Sequence, residues 1–231
     1  MSNGIDTQLL TFKGRTFQYR AAARTPSRTF LLFHGWTGDE NSMGVFTGIL
    51  PDDCNVFSPR APYSIPQGGY SWREIGSGTW GIPTFNDLKP AAESMLNLMD
   101  EWSNSIGVEI AQFNVIGFSQ GAALSYVFAA LFPERIMSVS ALSGFIPSGM
   151  ETFLAEGALD GKPVFIAHGV QDELMPVEQA REAGKLLDQW GAKVFYCETD
   201  GGHKVSKACL KGMVNFLESD TIKKYSNKEK K

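Results

Sequence analysis

Apolar residues in this chain fall into short blocks separated by longer amphipathic stretches, and that alternation sets the expected elements. Residues 9–12 and 16–19 flank Lys13-Gly14-Arg15 and predict an opening hairpin at the antiparallel edge of a larger sheet. Thr29-Phe30-Leu31-Leu32-Phe33 and Pro163-Val164-Phe165-Ile166-Ala167 are short and continuously apolar, as strands buried on both faces are. Residues 55–58, 113–116, 138–144 and 193–198 read as further strands. Helical spacing covers residues 86–106, where Ala92, Met95, Leu96, Met99 and Trp102 form one stripe, most simply a core face. A short helix is expected at 41–50, and longer ones at 122–132, 177–190 and 204–217. The helix at 122–132 is apolar almost all round, which predicts burial between layers. Strands alternate with helices, so the expected architecture is α/β, a mostly parallel central sheet with helices on both faces. No internal repeat is visible. One domain over residues 1–220 is expected, with a charged, frayed tail at 221–231.

Residues 59–83 break the alternation. This segment is rich in Pro, Gly and Ser, and it carries Tyr63, Tyr70, Trp72 and Trp80. So long a loop in a compact domain is usually functional or disordered, and its aromatic content argues against disorder. It can wall a substrate pocket above the sheet edge, or it can be an aromatic cluster that pins a loop.

Composition narrows the class. With 231 residues, 43% hydrophobic and 20% charged, the chain suits a globular domain with a sizeable core. A net charge of −4 favours no nucleic-acid partner. Cys54, Cys197 and Cys209 are odd in number and unrelated in spacing, which predicts reduced thiols in a cytoplasmic protein. The first residues lack a signal-peptide pattern, and no apolar run is long enough for stable membrane insertion. No His or Cys spacing points to a metal, and none of the motifs calls for a cofactor.

Candidate chemistry centres on Gly117-Phe118-Ser119-Gln120-Gly121. This G-x-S-x-G run follows the β-prone residues 113–116 and precedes the helix-forming residues from 122 onward. A nucleophile elbow needs that context: strand, sharp turn with serine at its apex, helix. A serine hydroxyl needs an adjacent base, and histidine titrates in the right range. His34 and His168 sit at strand ends before glycines, where a structural histidine is the ordinary reading. His203 lies in the loop Thr199-Asp200-Gly201-Gly202-His203 after the last strand, and it comes last in the chain, as the order Ser…Asp/Glu…His requires. The orienting acid is expected at Asp172, with Glu173 and Asp200 as weaker competitors. Two backbone N–H groups, of Gln120 and of Trp36 in the turn after residue 33, are the candidate oxyanion hole. Trp72, Trp80 and Phe145 are candidate pocket walls.

Several stretches together resemble one known group. They are Leu32-Phe33-His34-Gly35-Trp36-Thr37-Gly38-Asp39-Glu40, Pro59-Arg60-Ala61-Pro62, Gly69-Tyr70-Ser71-Trp72, the elbow, His168-Gly169-Val170-Gln171-Asp172 with Pro176, and Gly201-Gly202-His203. The chain from Thr29 to Leu217 resembles the phospholipase/carboxylesterase family of α/β-hydrolases, which includes the acyl-protein thioesterases. The resemblance implies an α/β-hydrolase fold and a small cytoplasmic, cofactor-free serine esterase. The expected partner is a small-molecule ester, and the expected state a monomer or homodimer. By position it carries over Ser119, Asp172 and His203 as the triad, and Trp36 and Gln120 as the oxyanion hole. Two positions depart from the pattern: Trp36, where an aliphatic residue is common, and Trp72-Arg73-Glu74, where an aromatic and an aspartate commonly follow the tryptophan. The reading is a serine carboxylesterase for short to medium acyl chains, with thioesters possible. Alternatives are an acyl-protein thioesterase or lysophospholipase, a peptidase or acyltransferase on the same triad, and a non-catalytic binding module.

Overall fold

The computed structural model describes residues 7–74, 81–219 and 222. The opening hairpin forms as β1 (Gln8–Phe12) and β2 (Arg15–Arg20). It is followed by β3 (Arg28–Phe33), the one-turn helix α1 (Gly44–Thr47) and β4 (Cys54–Pro59). The segment after β4 contains a small hairpin of its own, β5 (Tyr63–Ser64) and β6 (Tyr70–Ser71). Then come α2 (Phe85–Ser105), β7 (Phe113–Phe118), α3 (Gln120–Leu131), β8 (Ile136–Leu142) and the short α4 (Met150–Phe153). The chain continues through β9 (Pro163–Gly169), α5 (Val177–Gln189), β10 (Lys193–Thr199) and α6 (Lys207–Glu218).

Eight strands form the main sheet in the order β1-β2-β4-β3-β7-β8-β9-β10. From β4 across to β10 every neighbouring pair is parallel, and β2 joins the edge antiparallel to β4. Successive side chains of a strand point to opposite faces. In β3, Leu31 and Phe33 therefore join the apolar layer built with α2, α3 and α5, while Phe30 and Leu32 join the layer built with α1 and α6. This is the α/β-hydrolase architecture, with helices on both faces. Parallel strands put all their carboxyl ends on one edge, and the loops that leave this edge carry the candidate site.

Local chemistry explains the helix bounds. Helix α2 starts at a capping box: the Thr84 hydroxyl accepts from the Asp87 N–H, and the Asp87 carboxylate accepts from the Thr84 N–H. Its stripe of Ala92, Met95, Met99 and Trp102 is buried against the sheet. Helix α3 is buried at every position from Gln120 to Ala130. The helix expected at 41–50 shrinks to α1. The Arg20 guanidinium, itself buried, donates to the carbonyls of Thr47, Leu50, Pro51 and Cys54 and holds that backbone open. Helix α6 begins at Lys207, not 204, because Ser206 caps it by accepting from the Cys209 N–H.

The cysteines depart from expectation. Cys197 in β10 and Cys209 in the first turn of α6 form a disulfide, and only Cys54 is free. Twelve residues separate the pair in sequence, but the strand and helix that carry them pack together, with a Cα–Cα distance of 5.7 Å. Among the described residues no helix is long and apolar enough to cross a membrane. The tail expected at 221–231 lies outside the described residues apart from Ile222, which is buried.

Candidate active site

Ser119 stands at the turn between β7 and α3, with φ 53° and ψ −116°. A positive φ is uncommon for a residue with a Cβ and costs about 1–3 kcal/mol, so the surroundings must impose it. They do so on both sides. The Ser119 N–H donates to the Leu142 carbonyl of β8, and the Ser119 carbonyl accepts from the N–H groups of Ala122 and Ala123. The two glycines of the elbow are matters of space. A Cβ on Gly121 would lie 2.1 Å from the Phe33 carbonyl oxygen, and one on Gly117 would lie 2.2 Å from the Gly121 carbonyl oxygen. Any larger residue at either place would push α3 off the sheet and move the serine.

Loops after β9 and β10 bring two further side chains to Ser119. His203 Nε2 lies 2.9 Å from Ser119 Oγ, and His203 Nδ1 lies 2.7 Å from Asp172 Oδ2. A carboxylate only accepts, so Nδ1 carries the proton and Nε2 faces the hydroxyl as an acceptor. The Asp172 side chain is fully buried, and its Oδ1 accepts from the N–H groups of Leu174 and Met175. These bonds replace the water that the carboxylate has lost. Glu173 and Asp200, the competing acids, are both exposed, and neither carboxylate bonds His203. The His203 loop docks on the Asp172 loop through the Gln171 N–H, which donates to the Gly201 carbonyl. The Phe118 ring packs against the imidazole, with centroids 5.1 Å apart.

One further neighbour is the strand-end histidine that the sequence reads as structural. His168, buried at the end of β9, donates from Nε2 to the Met175 carbonyl, and the same nitrogen lies 3.5 Å from Asp172 Oδ2. The donated bond makes Nε2 the protonated atom of His168, so an N–H also faces the Asp172 carboxylate. Its signal in the sequence is the four-residue separation from Asp172 within one strand-end turn.

The opposite side of Ser119 is formed by the turn after β3. That turn crosses directly over the elbow: a Cβ on Gly35 would meet Ser119 Cβ at 3.3 Å. Trp36 follows, half-buried. Gln120 opens α3, and a first-turn N–H has no acceptor within its own helix. The Gln120 side chain is buried and tied to the segment after β6: its Oε1 accepts from the Trp72 N–H at 3.0 Å, and its Nε2 donates to Ser71 Oγ at 3.1 Å. His34 is also buried. Its Nε2 accepts from the Ala61 N–H, and its Nδ1 donates to the Gly35 carbonyl. Burial pushes this imidazole below its ordinary pKa, so it stays neutral. Below the turn, Arg60 grips the buried Glu40 with two bonds of 2.6 and 2.7 Å, which hold the Glu40 carboxyl below its ordinary range.

The expected pocket walls fare differently. Trp72 is 0% exposed and Phe145 3% exposed, so neither presents a surface to a substrate. Trp72 is instead locked inside: its ring packs on Phe33 and His34, and its indole N–H donates to the His34 carbonyl at 2.8 Å. Phe145 belongs to the apolar layer beneath α2 and α3. Trp80 lies outside the described residues.

Comparison with known proteins agrees with this architecture. Residues 17–221 match the family described as Phospholipase/Carboxylesterase. Acyl-protein thioesterase 1 of Debaryomyces hansenii is 26% identical over 226 residues, which cover 88% of this chain and 96% of that protein. A probable carboxylesterase of Oryza sativa subsp. japonica is 24% identical over 217 residues, covering 86% and 80%. Among solved structures, a carboxylesterase from Mesorhizobium loti superposes with a TM-score of 0.76 at 18% identity, covering 92% of this chain and 99% of its own. The family match runs through the elbow, both loops that meet it and all but the edge of the sheet, and the chain belongs to the Phospholipase/Carboxylesterase family of α/β-hydrolases.

Proposed function

We propose that this chain is a serine carboxylesterase in which Ser119 is the nucleophile, His203 the general base and acid, and Asp172 the group that orients His203. The observation that supports it is the unbroken relay from Asp172 Oδ2 through His203 to Ser119 Oγ, with contacts of 2.7 and 2.9 Å. Ser119 Oγ attacks the ester carbonyl carbon as its proton passes to His203 Nε2. The negative charge that develops on the carbonyl oxygen is met by the N–H groups of Trp36 and Gln120. Collapse expels the alcohol, which takes the proton from Nε2, and an acyl group remains on Ser119. Water then enters by the same route: its oxygen adds to the acyl carbon as Nε2 takes its proton, the acyl–Oγ bond breaks, Nε2 returns the proton to Ser119 Oγ, and the acid leaves. Asp172 stays ionised throughout and stabilises the imidazolium.

Ser119→Ala, which keeps the backbone of the elbow, should lower hydrolysis of a short p-nitrophenyl ester by on the order of 10⁶-fold. Retained turnover in the folded variant contradicts the assignment.

The substrate reading is a carboxylic ester of short to medium acyl chain. Its support is Trp36, a large half-buried side chain in the turn over the nucleophile. Faster hydrolysis of palmitoyl than of butyryl esters contradicts it, and it favours instead the thioesterase activity named for the fungal relative. We place the enzyme in the cytoplasm as a monomer or homodimer. Fractionation of host cells should recover the esterase activity with cytosolic markers; recovery in a membrane or secreted fraction contradicts that compartment.

A further inference from the structure

An oxyanion hole works only if its two donors are held at fixed separation before the charge appears. Here the donors assigned above come from different elements, Trp36 from the turn after β3 and Gln120 from the first turn of α3. Sheet pairing does not reach them. The last paired residues of β3 and β7 are Phe33 and Gly117, and beyond these the turn crosses the elbow in van der Waals contact without a ladder bond.

Tyr70, Ser71 and Trp72 supply directed bonds to both elements. The Trp72 N–H donates to the Gln120 side chain, and Ser71 Oγ accepts from its other end. The Trp72 indole N–H donates to the His34 carbonyl. That carbonyl belongs to the peptide immediately before the one that carries the Trp36 N–H, so its bond sets the tilt of the neighbouring plane. Tyr70 seizes the same turn on its far side. It accepts from the Thr37 N–H at 3.1 Å and donates to the Gly38 carbonyl at 2.9 Å. One fully buried residue therefore touches the supports of both donors, through its backbone N–H on the Gln120 side and its indole N–H on the His34 side.

We propose that Trp72 is a positioning residue that sets the distance between the two oxyanion donors; this rests on the assignment of Trp36 and Gln120 to that hole. A tryptophan that merely filled space would need its ring and not its N–H. Trp72→Phe keeps most of the ring and removes the bond to His34.

The test measures kcat per site titrated with a fluorophosphonate, KM for a butyryl ester, and affinity for a trifluoromethyl ketone that closes to a tetrahedral adduct on serine. The expected result for Trp72→Phe is a kcat lower by about 10- to 100-fold, ketone affinity weaker by the same factor, and KM within about twofold. Wild-type kcat per titrated site, unchanged ketone affinity, or a loss confined to KM overturns the proposal. Should the phenylalanine variant not fold, benzothienylalanine at position 72 keeps the shape, replaces the N–H by sulfur and is read the same way. Ser119→Ala runs beside it. If that variant is dead and Trp72→Phe is normal, only the positioning role fails; if it stays active, the assignment of the site fails.

Discussion

Ser119 stands between two supports built on different principles. On the oxyanion side, the turn after β3, the β6 segment and α3 are stitched together by buried backbone, indole and amide bonds. Trp72, His34 and Ser71 are fully buried there. On the acid–base side, His203 hangs from a loop with two glycines, Gly201 and Gly202, and is partly open to solvent. It is held by one contact to Asp172, by docking on the 169–171 backbone and by a disulfide at the base of the loop. The difference matches the tasks in the proposed mechanism. There, the oxyanion donors must not move when charge develops, whereas the imidazole must exchange protons with serine, leaving group and water in turn. Rigidity is concentrated where charge appears, and freedom where protons move.

That contrast can be broken from either side. The largest effect is expected at Asp172. Asp172→Asn keeps the shape and the backbone bonds but releases the His203 tautomer, and kcat should fall by on the order of 10⁴ with KM little changed. A loss under tenfold would mean that the loop alone orients the imidazole.

Next in size is the disulfide. Cross-linking about a dozen residues removes roughly 2–3 kcal/mol of unfolded-state entropy. Cys209→Ser, or a dithiol reductant, should lower unfolding free energy by about that amount in denaturant titrations and slow turnover as the His203 loop slackens. Equal stability and turnover with and without reductant would show that docking on residues 169–171 is enough.

The smallest effect belongs to the rigid side. Burial holds His34 below the ordinary imidazole value of 6.5, so the unfolded chain takes up a proton that the folded chain refuses. Its contribution to stability is complete above pH about 6.5 and is lost as pH falls through the lower folded value. Thermal unfolding of His34→Gln should therefore fall less steeply between pH 7 and pH 5 than that of the parent. Parallel curves would show that His34 does not couple this turn to protons.

Much of the site was legible because its constraints are local. A strand, two small residues around a serine and a helix describe the elbow completely, and the order of Asp172 and His203 follows from which strand each one leaves. Burial was harder to read. Trp72 sits in a polar, glycine-rich stretch that looks exposed, and only the docking of β6 on the turn after β3 shows that its indole is sealed inside. Phe145 misled in the same way, since a strand end looks like a rim until the helices above it are placed. The Cys197–Cys209 pair was invisible for another reason. A twelve-residue separation has no motif, and the approach exists only because α6 folds back along β10.

That crosslink also makes the base's loop a closed ring of covalent bonds. Lys204, exposed beside His203, is a trypsin site inside this ring, as is Lys207, and Lys193 and Lys211 flank it. A nick after Lys204 would cut the backbone next to the imidazole yet leave the fragments of the loop joined through sulfur. Digestion without reductant should therefore yield residues 194–204 and 208–211 as one peptide mass, separable only by a thiol.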